Sequence, residues 1–159
     1  MNKLRKLSRE ERGFNLIELM IVIAIIGLLI GVGSIAWGAM VRSGNETGAL
    51  QLIDRLRTYE AQYAAKNRGK FAKFPDLVQA GILDKETYGV DVPVVNGYRF
   101  VLETTDPTSD APATYTIKAS PVQPTGVTAT GTRFFFTNSS LSTIKANEGA
   151  EATADSNPV

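Results

Sequence analysis

The chain has 159 residues, 43% of them hydrophobic and 21% charged, which suits one compact domain plus an anchor and is too short for two ordinary domains. It contains no cysteine and no histidine, so disulfide staples, the usual zinc ligands and the Ser-His and Cys-His nucleophile pairs of most hydrolases are excluded. A formal net charge of +1 gives no reason to expect a basic protein that coats nucleic acid.

The apolar residues are unevenly placed, with nearly every long apolar run before Met40. A basic segment comes first, in which Lys3, Arg5, Lys6, Arg9 and Arg12 are opposed only by Glu10 and Glu11. Then Leu19 to Val41 reads LMIVIAIIGLLIGVGSIAWGAMV, without an ionisable group and with Ser34 as its single polar side chain. At ~1.5 Å per helical residue this run covers ~34 Å, enough to cross a hydrocarbon core of ~30 Å. The basic residues ahead of it hold the N-terminus in the cytoplasm and direct the rest outward. An ordinary secretory signal places a small-residue cleavage site after its apolar core. No convincing one is found there. Instead, Arg12-Gly13-Phe14-Asn15-Leu16-Ile17-Glu18 stands in front of the core.

That segment resembles the prepilin peptidase site of type IV pilins and type II secretion pseudopilins, and the resemblance extends from Lys3 to about Ile30. It implies cleavage between Gly13 and Phe14, N-methylation of Phe14, and an assembly role for Glu18, which becomes the fifth residue of the mature chain. Physical chemistry singles out Glu18 as well. A carboxylate at the edge of an apolar span costs ~2.5–3.5 kcal/mol and calls for a partner. The new amine of Phe14, one helical turn away, could serve within the chain. The resemblance implies that the pair forms between subunits, Glu18 of one with the Phe14 amine of the next. An unpaired buried charge would then penalise wrong registers. The rival is a plain single-pass protein that never polymerises, with the glycine and glutamate there by chance.

Beyond Val41, Ala49, Leu52, Ile53, Leu56, Tyr59, Tyr63 and Ala64 recur at three- and four-residue spacing, the stripe of an amphipathic helix. Asp54, Arg55, Arg57 and Glu60 are expected mainly off that stripe. One long helix is predicted from about Phe14 to Arg68, closed by Gly69 at its C-cap. Gly27, Gly31, Gly33 and Gly38 serve either close helix packing or a segment that melts on assembly, and Gly44 and Gly48 continue the series. Related pilins often carry proline where this chain has Ile35, which speaks against one fixed kink.

After the helix, Phe74–Leu83 reads as a short helix with proline in its first turn and Gly81 near its end. Strands are predicted at Tyr98–Thr104, Tyr115–Ser120 and Arg133–Asn138, with a weaker one at Ser142–Lys145. In the first two, Tyr98, Phe100 and Leu102 share a face, as do Tyr115, Ile117 and Ala119. The connections DPTSDAP and PVQPTGVTATG read as loops. The fold class is therefore α+β, a long N-terminal helix with a small antiparallel head. The domains are a leader (1–13), a membrane or filament-core helix (14–41), its amphipathic continuation (42–68), a head (69–145) and a mobile tail (146–159) poor in large apolar side chains.

Other candidate sites are weaker. Asp84, Glu86, Asp91, Asp106 and Asp110 could offer oxygens to calcium, Asp106 and Asp110 foremost, but their spacing matches no EF-hand loop. Lys66, Arg68, Lys70 and Lys73, interleaved with Phe71 and Phe74, could form a nucleic-acid patch but read first as a solvated rim. Phe134-Phe135-Phe136 reads as strand core with one exposed or interface aromatic. Asn45-Glu46-Thr47 and Asn138-Ser139-Ser140 match a short glycosylation pattern.

No catalytic constellation and no cofactor site is expected. The reading is a structural filament subunit of the bacterial inner membrane, with its head periplasmic. Its partners are copies of itself, the peptidase, an inner-membrane assembly platform with its ATPase, and lipid before assembly. No nucleic-acid partner is expected of a major subunit. The alternatives are a type II secretion pseudopilin and a minor tip pilin that acts as an adhesin or binds DNA.

Overall fold

The computed structural model describes residues 14–159, and of Ser34 and Ile35 only the backbone. The expected leader, including Gly13 on one side of the cleavage bond, lies outside the described residues. Helix α1 runs from Leu16 to Lys66 without interruption, 51 residues that contain all six glycines from Gly27 to Gly48. Glu18 in its first turn and Lys66 in its last complement the helix dipole. It ends two residues short of the expected Arg68, three before the expected glycine. Arg68 takes a left-handed φ of 57° and Gly69 a φ of 81°, and the Gly69 N–H closes on the Ala64 carbonyl at 2.9 Å.

The chain divides into two compact units, one ending at Trp37 and one spanning Gly38–Val159. In the second unit α1 is followed by the short helices α2 (Phe74–Gln79) and α3 (Lys85–Tyr88). Six strands come next: β1 (Val94–Val95), β2 (Tyr98–Thr105), β3 (Thr114–Pro121), β4 (Arg133–Asn138), β5 (Lys145–Glu148) and β6 (Asn157–Pro158). They form one antiparallel sheet in sequence order. Asn96 and Gly97, both with positive φ, make the tight β1–β2 turn, as an Asn-Gly pair between strands does.

The register brings Phe100 opposite Ala119 and Leu102 opposite Ile117, and Ala119 opposite Phe135. One sheet face is thereby apolar and buried. Tyr98, Phe100, Ile117 and Phe135 on that face join Leu52, Ile53 and Leu56 of α1 and Phe74 and Leu77 of α2 in a single core. The alternation expected of the first two strands is present, and the α+β layout is as read from the sequence.

Three expectations need correction. The segment from 146 onward is not a loose tail, since β5 pairs with β4 and β6 with β5, Ala152 is buried, and the Val159 N–H donates to the Ile144 carbonyl at 3.0 Å. Backbone pairing needs no large side chains, which is why composition concealed it. The weak fourth strand begins at Lys145 rather than Ser142. Finally, Glu60 lies on the buried stripe of α1, one turn beyond Leu56, with 0% exposure.

Candidate functional site

The start of α1 is built by two reciprocal hydrogen bonds. Asn15 precedes the first helical residue, and its Oδ1 accepts the Ile17 N–H at 3.3 Å. Glu18 reaches back, its Oε2 accepting the Asn15 N–H at 3.2 Å. Each side chain satisfies a backbone donor that the helix leaves orphaned. Glu18 was legible in the sequence as a carboxylate in want of a partner, whereas Asn15 was missed, although an amide one position before an apolar helix is a cap signal. Phe14 is 85% exposed just ahead of this cap.

From Leu16 to Gly33 every side chain of α1 is exposed, including Leu28, Leu29 and Ile30 at 65–69%. The helix is long and apolar enough to cross a membrane. A helix apolar all round is stable only in an apolar surround, whether lipid or other helices. The site therefore combines a capped helix start carrying one carboxylate with a cylinder of unpartnered apolar surface.

In the second unit two carboxylates fasten α1 to the rest of the head, and neither was foreseen in that role. Glu46 accepts the Thr132 N–H at 2.9 Å and the Thr132 hydroxyl at 3.2 Å through Oε1. Its Oε2 takes the Arg133 Nε at 2.8 Å. Burial pushes the Glu46 carboxyl up, but the Thr132 N–H and the Arg133 guanidinium outweigh it and hold the group below its ordinary range. Beside it, Asn45 donates from Nδ2 to the Thr130 carbonyl at 2.8 Å, so that asparagine is engaged in packing. Farther along, Glu60 accepts the Ala72 N–H at 2.9 Å through Oε2, while its Oε1 is buried without a partner. Burial, aided by the nearby Asp76 charge and opposed by the Ala72 N–H, pushes this carboxyl up to about 7.

The remaining candidates are dispersed. Asp106 lies 3.4 Å from the Lys70 ammonium, and Asp84 caps α3 by accepting the Thr87 N–H at 2.8 Å. Among the described residues no three acidic side chains gather as a metal site; Asp106 and Asp110 form no such group. The aromatics of the basic rim are consumed by the core. Phe71 stands edge-on to Tyr115 at 4.7 Å, and Phe74 is buried and stacked on Tyr88 at 5.9 Å. Neither offers a free ring beside Lys66, Arg68, Lys70 and Lys73 for a base to stack on. Of the three consecutive phenylalanines only Phe135 is fully buried. Asn138 uses its Oδ1 to accept the Ser140 and Leu141 N–H groups.

Residues 8–34 match the family described as the prokaryotic N-terminal methylation motif. No curated protein and no solved structure matches the chain.

Proposed function

We propose, from the premise that the chain carries the prepilin signature of type IV pilins and pseudopilins, that it is the structural subunit of a type IV pilus-like filament. The observation that carries this reading is the motif at 8–34 opening directly into a helix start that holds Glu18 ahead of an exposed apolar cylinder. Prepilin peptidase hydrolyses the Gly13–Phe14 bond, leaving a carboxylate on Gly13 and a free amine on Phe14, which is then methylated. The carboxylate of Glu18, held by one backbone N–H in the uncut chain, pairs with the amine of a neighbouring subunit. The pair is charge-assisted and sits where water is excluded, so it fixes register between subunits.

Before assembly the apolar run spans the inner membrane, with residues from Arg42 onward on the periplasmic side. An assembly platform with its ATPase withdraws subunits from lipid, and the surface once covered by acyl chains packs against other helices. Lipid is as apolar as leucine, so the gain comes from close packing and paired charges rather than from hydrophobic transfer. Gly27 and Gly33, beside which no atom lies within 4 Å of an added Cβ, leave room for that approach. Proteins with this signature are structural, and the chain acts by polymerising rather than by catalysis. A secretion pseudopilus would use the same chemistry in a shorter filament.

Intact-mass and N-terminal analysis of sheared filaments and of membranes tests this. A chain beginning at methylated Phe14 and abundant in the sheared fraction supports a major pilus subunit. The same N-terminus confined to membranes supports a pseudopilin or minor pilin. An uncut Met1 in cells with active peptidase overturns the reading.

A further inference from the structure

Between Lys118 and Arg133 there is no ionisable residue, and most of this uncharged stretch, residues 122–132, forms the β3–β4 loop. The loop is built rather than loose. Gln123 and Thr130 pair across it, the Thr130 N–H donating to the Gln123 carbonyl at 2.8 Å and the Gln123 N–H to the Thr130 hydroxyl at 3.1 Å. The Ala129 N–H closes the tip on the Gly126 carbonyl at 3.2 Å, and Gly126 supplies the positive φ of 91° that the turn requires. Its base is tied to α1 by the Asn45 Nδ2, which donates to the Thr130 carbonyl, and by the Thr132 N–H, which donates to Glu46.

From that base the tip reaches back along α1. The Val127 carbonyl stands 3.9 Å from a Cβ placed on Gly38, and the Arg42 Nη1 stands 3.7 Å from the same point. Gly38 lies inside the apolar run, one turn before Arg42, the first charged residue after it, or ~6 Å along the helix axis. Val127 itself is 93% exposed, the most exposed large apolar residue described. A loop that fully exposes a valine, carries no charge, and shares a level with a guanidinium at the end of a span has the properties of an element seated among lipid headgroups. Guanidinium groups seek phosphate there, apolar side chains enter the acyl boundary, and charged groups would be penalised.

Resting on the membrane-anchored reading above, we propose that the β3–β4 loop is a second membrane contact of the unassembled subunit, with Val127 inserted at the headgroup–acyl boundary. Its occupant is the lipid surface around the end of the anchor. The loop tip and the stretch of helix from Gly38 to Arg42 then touch the bilayer together until assembly withdraws both.

The chain has a single tryptophan, Trp37, which makes the test direct. The full chain is reconstituted in phosphatidylethanolamine–phosphatidylglycerol vesicles whose acyl chains are brominated near the headgroup. Three proteins are compared: the native chain, W37F/V127W, and W37F/T108W, whose indole sits at the opposite end of the β2–β3 hairpin. The expected result is that bromolipid quenches the native and V127W indoles and that V127W is shielded from aqueous acrylamide, while T108W shows neither effect. The proposal is overturned if V127W behaves as T108W does while the native indole is quenched, which leaves the anchor reading intact. It is also overturned if V127W is shielded only at high protein-to-lipid ratio and without bromolipid quenching, which would assign the tip to a second copy of the chain. A native indole that bromolipid does not quench removes the anchor reading and the proposal with it.

Discussion

Helix α1 meets opposite fates in its two halves. Before Gly33 its leucines and isoleucines all lie open, whereas from Glu46 to Glu60 one face is closed by the sheet and α2. The second half has a stripe, with charged residues such as Asp54 and Arg55 exposed beside it, so the head buries that stripe and leaves the rest in water. The first half has no polar face to leave in water. One element can therefore carry two solvents' worth of instruction: an amphipathic stretch specifies contacts within its own chain, and a uniformly apolar stretch specifies contacts with something outside it.

That contrast is most severely tested at Glu18. Glu18→Ala should abolish filaments, seen by electron microscopy of sheared material, while leaving cleavage at Gly13–Phe14 and the thermal unfolding of the head unchanged. Loss of head stability along with filaments would erase the distinction between the halves. At Leu56, which is 0% exposed, truncation to Ala should destabilise the head in detergent by ~2–5 kcal/mol, read from urea unfolding.

Glu60 sharpens the comparison through pH. Its folded carboxyl is raised to about 7 from 4.5, so the folded chain keeps a proton that the unfolded chain gives up across that window. Stability from this group is complete below the unfolded value and falls as pH rises toward 7, by roughly 3 kcal/mol once both states are ionised. Glu60→Gln should remove that slope and raise the melting temperature at pH 8, and an unchanged slope would show that the carboxyl is not buried in solution. Glu46 has the opposite sign. Its folded value is lowered, so its contribution is present above the ordinary carboxylate range and disappears as acid protonates it. Glu46→Ala should cost ~1–3 kcal/mol at neutral pH by stranding the Thr132 and Arg133 donors. The smallest effect is expected at Leu29, 65% exposed, where Ala should change head stability by less than ~0.5 kcal/mol.

Much of this was legible in the sequence. The uniformly apolar first half of α1 follows from the length of its uncharged run, and the amphipathic continuation and the three principal strands follow from periodicity, because apolar spacing reports directly which face is removed from water. The motif around Gly13, Phe14 and Glu18 was equally readable, and residues 8–34 match the prokaryotic N-terminal methylation motif. The Asn96-Gly97 turn was also present in the sequence as a hairpin signal and was passed over with its two-residue strand β1.

What the chain alone could not disclose was of another kind. That Glu60 is buried with one oxygen unpartnered, that Glu46 clasps Thr132 and Arg133, and that β5 and β6 order the C-terminal segment all depend on partners distant in sequence. A carboxylate looks the same in sequence whether it faces water or a backbone N–H, and a strand held by main-chain bonds has no side-chain signature. Apolar patterning along the chain dictates which stretches must leave water. Folding selects the polar groups that go with them, because each is chosen by the neighbour that satisfies it.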